Sequence, residues 1–209
     1  MKKIMFNDKY GLTKAVVEGR KTQTRRVVPK RVLDKIKQFQ EYYYDATFDM
    51  LEGIELLTHY FLTEKCGKLP YNVGEVVAVA QRMCDVYAEW DMAYLGKDTK
   101  ALMEKFGGSP CFKNKMFARA SEMPHQIRIT NVRLEKLEDI SEQDAIAEGI
   151  TYAGLTYDDY GEPVFVIDGC KKIFSSAKDA YAWLIDKISG KGTWVSNPYV
   201  FVYDFEIIK

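Results

Sequence analysis

Hydrophobic positions along the chain change period several times, and each change marks an element. Ile4 to Phe6 reads as a short buried strand. Leu12, Ala15 and Val16 then recur at i, i+3 and i+4, which is one face of a helix. Asn7 or Asp8 is placed to cap that helix, and Gly19 to close it in a left-handed conformation. Thr22 to Val28 favours a strand through its β-branched residues, and Pro29 ends it. Arg31 to Gln40 returns to helical spacing, and 41–64 reads as an aromatic-rich meander of two or three strands. The triplet Tyr42-Tyr43-Tyr44 in that meander suits sheet packing better than base stacking.

After the turn segment Leu69 to Glu75, Val76 to Gln81 is a strand. Trp90 to Leu95 and Thr99 to Phe106 suggest short helices, and 84–116 as a whole looks like an insertion, with a lid as one use for it. Ile127 and Ile129 alternate with Arg128 and Thr130, a half-buried strand that continues to Leu134. Ser141 and Asp144 form a capping box, and Gly149 closes a helix of about two turns. Residues 150–174 read as a hairpin region with turns at Asp158 to Gly161 and at Asp168-Gly169. Ser175 or Ser176 caps a helix through Ala180, Trp183, Leu184 and Ile188, ended by Gly190. Tyr199 to Ile208 is the last strand, with Tyr199, Phe201, Tyr203 and Phe205 on one face. The expected fold is α+β: one domain over 1–209, with short helices around a mostly antiparallel, closed sheet.

Composition narrows the class. The chain of 209 residues is 47% hydrophobic and 29% charged, which suits a domain with a real core. Four scattered cysteines show no zinc spacing, so free thiols, no metal and a cytoplasmic location are expected. The N-terminus meets charge too soon for a secretory signal, and the longest apolar run, Val76 to Ala80, is too short for a membrane span.

Charge changes the picture more. The total is formally zero, yet Lys14 to Arg31 holds seven basic residues and one acid. Residues 135–148 hold six acids and one base. The basic run fits either an anion-binding site or a charged strand edge that resists aggregation. The two runs either face each other or flank one cleft. Within them Lys21 ends the first helix among other cations, a setting that favours the neutral amine needed of a base. Thr24 offers a hydroxyl three residues on. Glu148 sits in the last helical turn, where a carboxylate opposes the helix dipole at about 0.3–1 kcal/mol. That position calls for a functional role or an ion pair to Arg25 or Arg26. Lys21 and Thr24 can converge only if Lys21 precedes the strand proper, because a regular strand would send them to opposite faces. His59 and His125 sit apart and read as structural. Gly190-Lys191-Gly192-Thr193 is not a phosphate loop, since Ile185 and Gly192 stand where that motif needs Gly and Ser or Thr.

Gly19-Arg20-Lys21-Thr22-Gln23-Thr24-Arg25-Arg26 resembles the signature of the ASCH domain family within the PUA-like superfamily. Tyr71 to Glu75, Ile127 to Ile150 and Trp194 to Phe205 are similar to segments of larger bacterial and phage ASCH-like proteins. The resemblance implies a PUA-like β-barrel with insertions at about 31–68 and 84–120, and a cleft for RNA or a modified nucleoside. It also implies an amidohydrolase set for N(4)-acetylcytidine-type substrates. In it, Lys21 is the base, Thr24 the nucleophile and Glu148 either orients the base or relays the proton, with Arg20, Arg25, Arg26, Gln81 and Asn197 as nucleic-acid or substrate contacts and no cofactor. An alternative is a phage-related accessory protein that works through protein contacts. The chain departs from phage-type relatives at Ala80-Gln81-Arg82-Met83, where an Arg-Glu-x-Trp run is common.

Overall fold

The computed structural model describes residues 1–34, 69–94, 108–155 and 161–208, with side chains omitted at 89–94. Its centre is the C-terminal strand, Tyr199–Ile208. Val200 and Val202 are buried on one face and Phe201, Tyr203 and Phe205 on the other. A strand apolar on both faces must lie inside a sheet, covered on each side. In chain order the strands are β1 (Lys3–Ile4), β2 (Gln23–Val27), β3 (Val76–Val79), β4 (Gln126–Lys136), β5 (Thr151–Leu155), β6 (Pro163–Val166), β7 (Ile173–Phe174) and β8, the C-terminal strand. The main sheet has the order β1-β3-β4-β8-β2. It is antiparallel except for the β1–β3 pair.

The β4–β8 ladder runs from Gln126 opposite Ile208 to Lys136 opposite Tyr199. Its register shifts between Ile129 and Asn131. The sequence requires that shift: Ile127 and Ile129 are two apart, but Val132 follows at a spacing of three. An extra residue returns Val132 and Leu134 to the core face.

The expected closure of the sheet is not what the described strands form. Among the described residues the sheet is open, with β1 and β2 at its edges. A side chain spans the gap, where Arg26 Nη2 donates to the Met5 carbonyl at 2.6 Å. Met5, Phe6 and Asn7, which follow β1, and Thr24 to Val27 of β2 line the same cavity. The seam between the edges is therefore occupied by a cavity, and backbone pairing there would eliminate it.

The helices are α1 (Leu12–Val17), α2 (Met83–Tyr94), α3 (Pro110–Lys113), α4 (Glu142–Ala147), α5 (Ala177–Ser189) and α6 (Thr193–Ser196). Residues 30–34 are also helical, and the rest of the expected 31–40 helix lies outside the described residues. So do the 41–64 meander with its tyrosine triplet, His59, Thr99 to Phe106 and most of the turn at Asp158 to Gly161. α1 starts later than its expected cap: Gly11 is its N-cap, and Asp8 instead accepts from the Thr13 hydroxyl at 2.5 Å.

β5, β6 and β7 form a separate antiparallel sheet. α5 joins both sheets into one core through Ala177, Ala180, Tyr181, Leu184 and Ile185. A second, smaller cluster packs Met83, Val86, Phe112, Ala118 and Met123 against Ala78 of β3. The described parts of the 84–120 insertion thus have their own apolar anchor. Among the described residues, no helix is long and apolar enough to cross a membrane.

Candidate active site

The site begins with a turn. Gly19 has a φ of 74°, and the N–H groups of Arg20 and Lys21 both donate to the Ala15 carbonyl at 2.9 Å. β2 starts only at Gln23, so Lys21 lies before the strand and is free of its alternation. On the other side, Ser141 caps α4 by accepting from the Asp144 N–H at 3.1 Å. Glu148 follows as the C-cap, and Gly149, at a φ of 102°, turns the chain away. The Thr22 N–H donates to the Ala147 carbonyl at 2.9 Å, which fixes the two turns side by side.

Lys21 and Glu148 meet there. Lys21 Nζ donates to Glu148 Oε2 at 2.5 Å, to the Glu148 carbonyl at 2.7 Å and to the Gln23 carbonyl at 2.7 Å. The two side chains are 1% and 5% exposed. Burial holds the Lys21 amine below its ordinary range, against the opposing pull of the Glu148 charge. The Phe6 ring lies 5.7 Å from the ammonium.

Arg25, whose side chain is 0% exposed, binds Glu148 Oε1 at 3.3 Å, Asp144 at 3.1 Å and Glu135 at 3.2 Å. Gln23 bridges Asp144 and Asp204 at 3.1 and 2.7 Å. Arg133 pairs with Glu135 and with Asp204, the latter at 2.6 Å. Burial pushes the Asp144 carboxyl up, but the Gln23 hydrogen bond and the Arg25 and Arg133 charges outweigh it and hold it below its usual range. The basic and acidic runs of the sequence therefore face each other. Lys21, Arg25, Arg26 and Arg133 carry four positive charges against four from Glu135, Asp144, Glu148 and Asp204, so the local sum is zero.

Beside this network is a cavity of about 520 Å³. Lys21, Thr24, Arg25, Arg26 and Glu148 all line it. Its apolar wall comes from Phe6, Leu12, Leu184, Ile185 and Ile188. A volume in the range of about 300–1,000 Å³ is typical of a small-molecule site. Thr24 is buried, and among the described residues no hydrogen bond engages its hydroxyl.

Other candidate contacts lie elsewhere. Arg20 pairs with Glu18 at 2.7 Å and Asp168 at 3.3 Å, outside the cavity lining. Gln81 is buried at the end of β3, where its Oε1 lies 2.8 Å from His125 Nδ1. Asn197, at a φ of 41°, binds Glu138 through both ends of its amide, at 3.0 and 3.2 Å. Both are outside the cavity lining.

Sequence reasoning missed Tyr181, which lines the cavity from α5. The available signal was a polar tip within the apolar stripe of an amphipathic helix. Among the described residues no group of His, Cys, Asp and Glu is placed to hold a metal.

No family model and no curated protein matches the chain. Among solved structures it is similar to protein EF3133 from Enterococcus faecalis V583, described as DUF984, at 15% identity. That match covers 100% of this chain and 77% of the other, with a TM-score of 0.39, too low to support any argument about fold or function.

Proposed function

We propose that this chain is an ASCH-like, PUA-like protein whose cavity takes a modified nucleoside and hydrolyses its exocyclic amide, as in N(4)-acetylcytidine. The observation that carries the reading is the buried Lys21–Glu148 contact of 2.5 Å on a cavity shared with Thr24. A lysine whose three N–H bonds are all engaged cannot serve as a base until it loses a proton. Glu148 is placed to take it along the shared hydrogen bond. The neutral amine then removes the Thr24 hydroxyl proton as Thr24 Oγ attacks the amide carbonyl. Collapse of the tetrahedral intermediate breaks the C–N bond, and Glu148 returns its proton to the departing amine. Water, deprotonated by Lys21 after a second transfer to Glu148, cleaves the acyl ester, and the Thr24 alkoxide regains a proton from Glu148.

Charge balance favours a nucleoside over an RNA strand. Four of the seven basic residues in the Lys14 to Arg31 run are ion-paired, and Arg26 is bonded to a carbonyl. Little of the positive field suggested by the sequence is left for phosphates. An accessory role through protein contacts would draw on the tyrosine-rich 41–64 segment, which lies outside the described residues.

Incubation with N(4)-acetylcytidine should release cytidine, and Lys21→Ala or Thr24→Ala should abolish the release. Absence of turnover by the unaltered protein removes the enzymatic reading. Nucleoside affinity should barely change between about 50 and 200 mM salt, whereas a site built on several phosphate contacts loses orders of magnitude there.

A further inference from the structure

Tyr181 stands one turn before Leu184 and Ile185 on the buried stripe of α5, and all three line the cavity. Its residue surface is 2% exposed. Among the described residues no hydrogen bond engages its hydroxyl. Buried polar groups are normally bonded, so an unpartnered one on a cavity wall points to a ligand atom. Of the other polar side chains deep in the site, Lys21 has three acceptors, and Arg25 binds three carboxylates through its terminal nitrogens while its Nε has no partner among the described residues. Among the described residues two buried side chains on the cavity keep an unengaged hydroxyl, Thr24 and Tyr181.

The two cannot share a role. Thr24 follows Lys21 in the chain and is the group the base would activate. Tyr181 is far from being a base itself. Burial, reinforced by the nearby Glu148 charge, pushes its phenol well above the ordinary tyrosine range. It stays protonated across the working pH range and can only donate or accept a hydrogen bond. The Trp194 ring packs against it at a steep angle, with centroids 6.4 Å apart. A neutral donor held in a packed wall suits an oxygen that gains negative charge during reaction.

We infer that Tyr181 is a catalytic residue that donates its hydroxyl hydrogen bond to the amide carbonyl oxygen of the substrate, most strongly when that oxygen becomes the oxyanion. No proton is transferred: the phenol keeps its hydrogen throughout, and the negative charge returns to the carbonyl when the C–N bond breaks. The inference rests on the hydrolase reading of the same cavity.

The test compares the unaltered protein with Tyr181→Phe on N(4)-acetylcytidine, measuring kcat, KM and their pH profiles together with the melting temperature. Removing one such donor lowers kcat by about 10²–10³-fold. KM should stay within about threefold, because the bond strengthens only in the transition state. The shape of the pH profile should be retained, since the Lys21 amine is untouched. Unchanged kcat in Tyr181→Phe, or a loss confined to KM, overturns the role of Tyr181 while leaving the hydrolase reading intact. No turnover by the unaltered protein overturns both. A fall in melting temperature that accounts for the lost activity also counts against the role. Tyr181→Leu, which fills the wall without a hydroxyl, should lose kcat to the same degree as Tyr181→Phe, and a loss well beyond it traces the effect to ring packing and overturns the role.

Discussion

Lys21 shows how one side chain can serve both the fold and the site. A buried ammonium is tolerable only with its hydrogen bonds made and a counter-charge in contact. Glu148 supplies the counter-charge and two of the three acceptors. Removing one member of a buried pair leaves the other uncompensated, which typically costs about 3–5 kcal/mol. Lys21→Met should fall at the lower end of that range, because Arg25 still holds Glu148. Combining it with Glu148→Gln should cost less than the sum of the two single changes. Urea unfolding of the four proteins in a double-mutant cycle measures the difference, and strict additivity would mean that the pair is not coupled.

At the scale of elements, the site is made by two helix ends. α1 and α4 each stop at a glycine with positive φ, and the residues beside those stops are Lys21 and Glu148. The two glycines differ in their surroundings. A Cβ on Gly19 would meet nothing within 4 Å, whereas one on Gly149 would lie 3.3 Å from Leu12 Cδ2 and 3.5 Å from Lys21 Cδ. Both substitutions to alanine strain the backbone, by about 1–3 kcal/mol. Gly149→Ala should cost more than Gly19→Ala, and it alone should reduce turnover of N(4)-acetylcytidine, by pressing on Leu12 in the cavity wall. Equal effects on stability and activity would show that the close approach is unimportant. Glu142 links these elements to the cavity wall, because its carboxylate accepts from the Ala177 N–H at 2.7 Å and so caps α5.

Across the whole molecule, Asp144 joins β2, β4 and α4 through Gln23, Arg25 and Arg133. Its carboxyl is held below the ordinary value of 3.8. In the window between the lowered value and 3.8 the unfolded chain binds the extra proton, so stability rises with pH there. The contribution is complete above about pH 5 and is lost as pH falls through the folded value. Asp144→Asn should therefore be less stable at pH 6 and show a flatter loss between pH 4 and 2 in urea titrations. A variant that follows the parent in parallel down to pH 2 would contradict the linkage.

Elements whose pattern is local were legible in the chain. The β8 span and the α5 start at Ser176 follow from side-chain periodicity and a cap that each segment carries itself. β4 was legible up to its bulge, which is fixed by pairing with β8 and not by β4 alone. Helix 83–94 begins earlier than Trp90, because Met83 and Val86 find a partner surface on β3 that no local window reveals.

The candidate site divides in the same way. Sequence alone singled out Lys21, Thr24 and Glu148, placed Gly19 and Gly149 at the ends of their helices, and showed the charge split into a basic and an acidic run. Tertiary structure decided that Lys21 and Arg25 pair with the acidic run, that Arg20, Gln81 and Asn197 point to other partners, and that Tyr181 joins the cavity. The physical reason is range. Helix ends and strand alternation are set by neighbours a few residues apart, whereas ion pairing and cavity shape depend on contacts between residues more than a hundred positions apart.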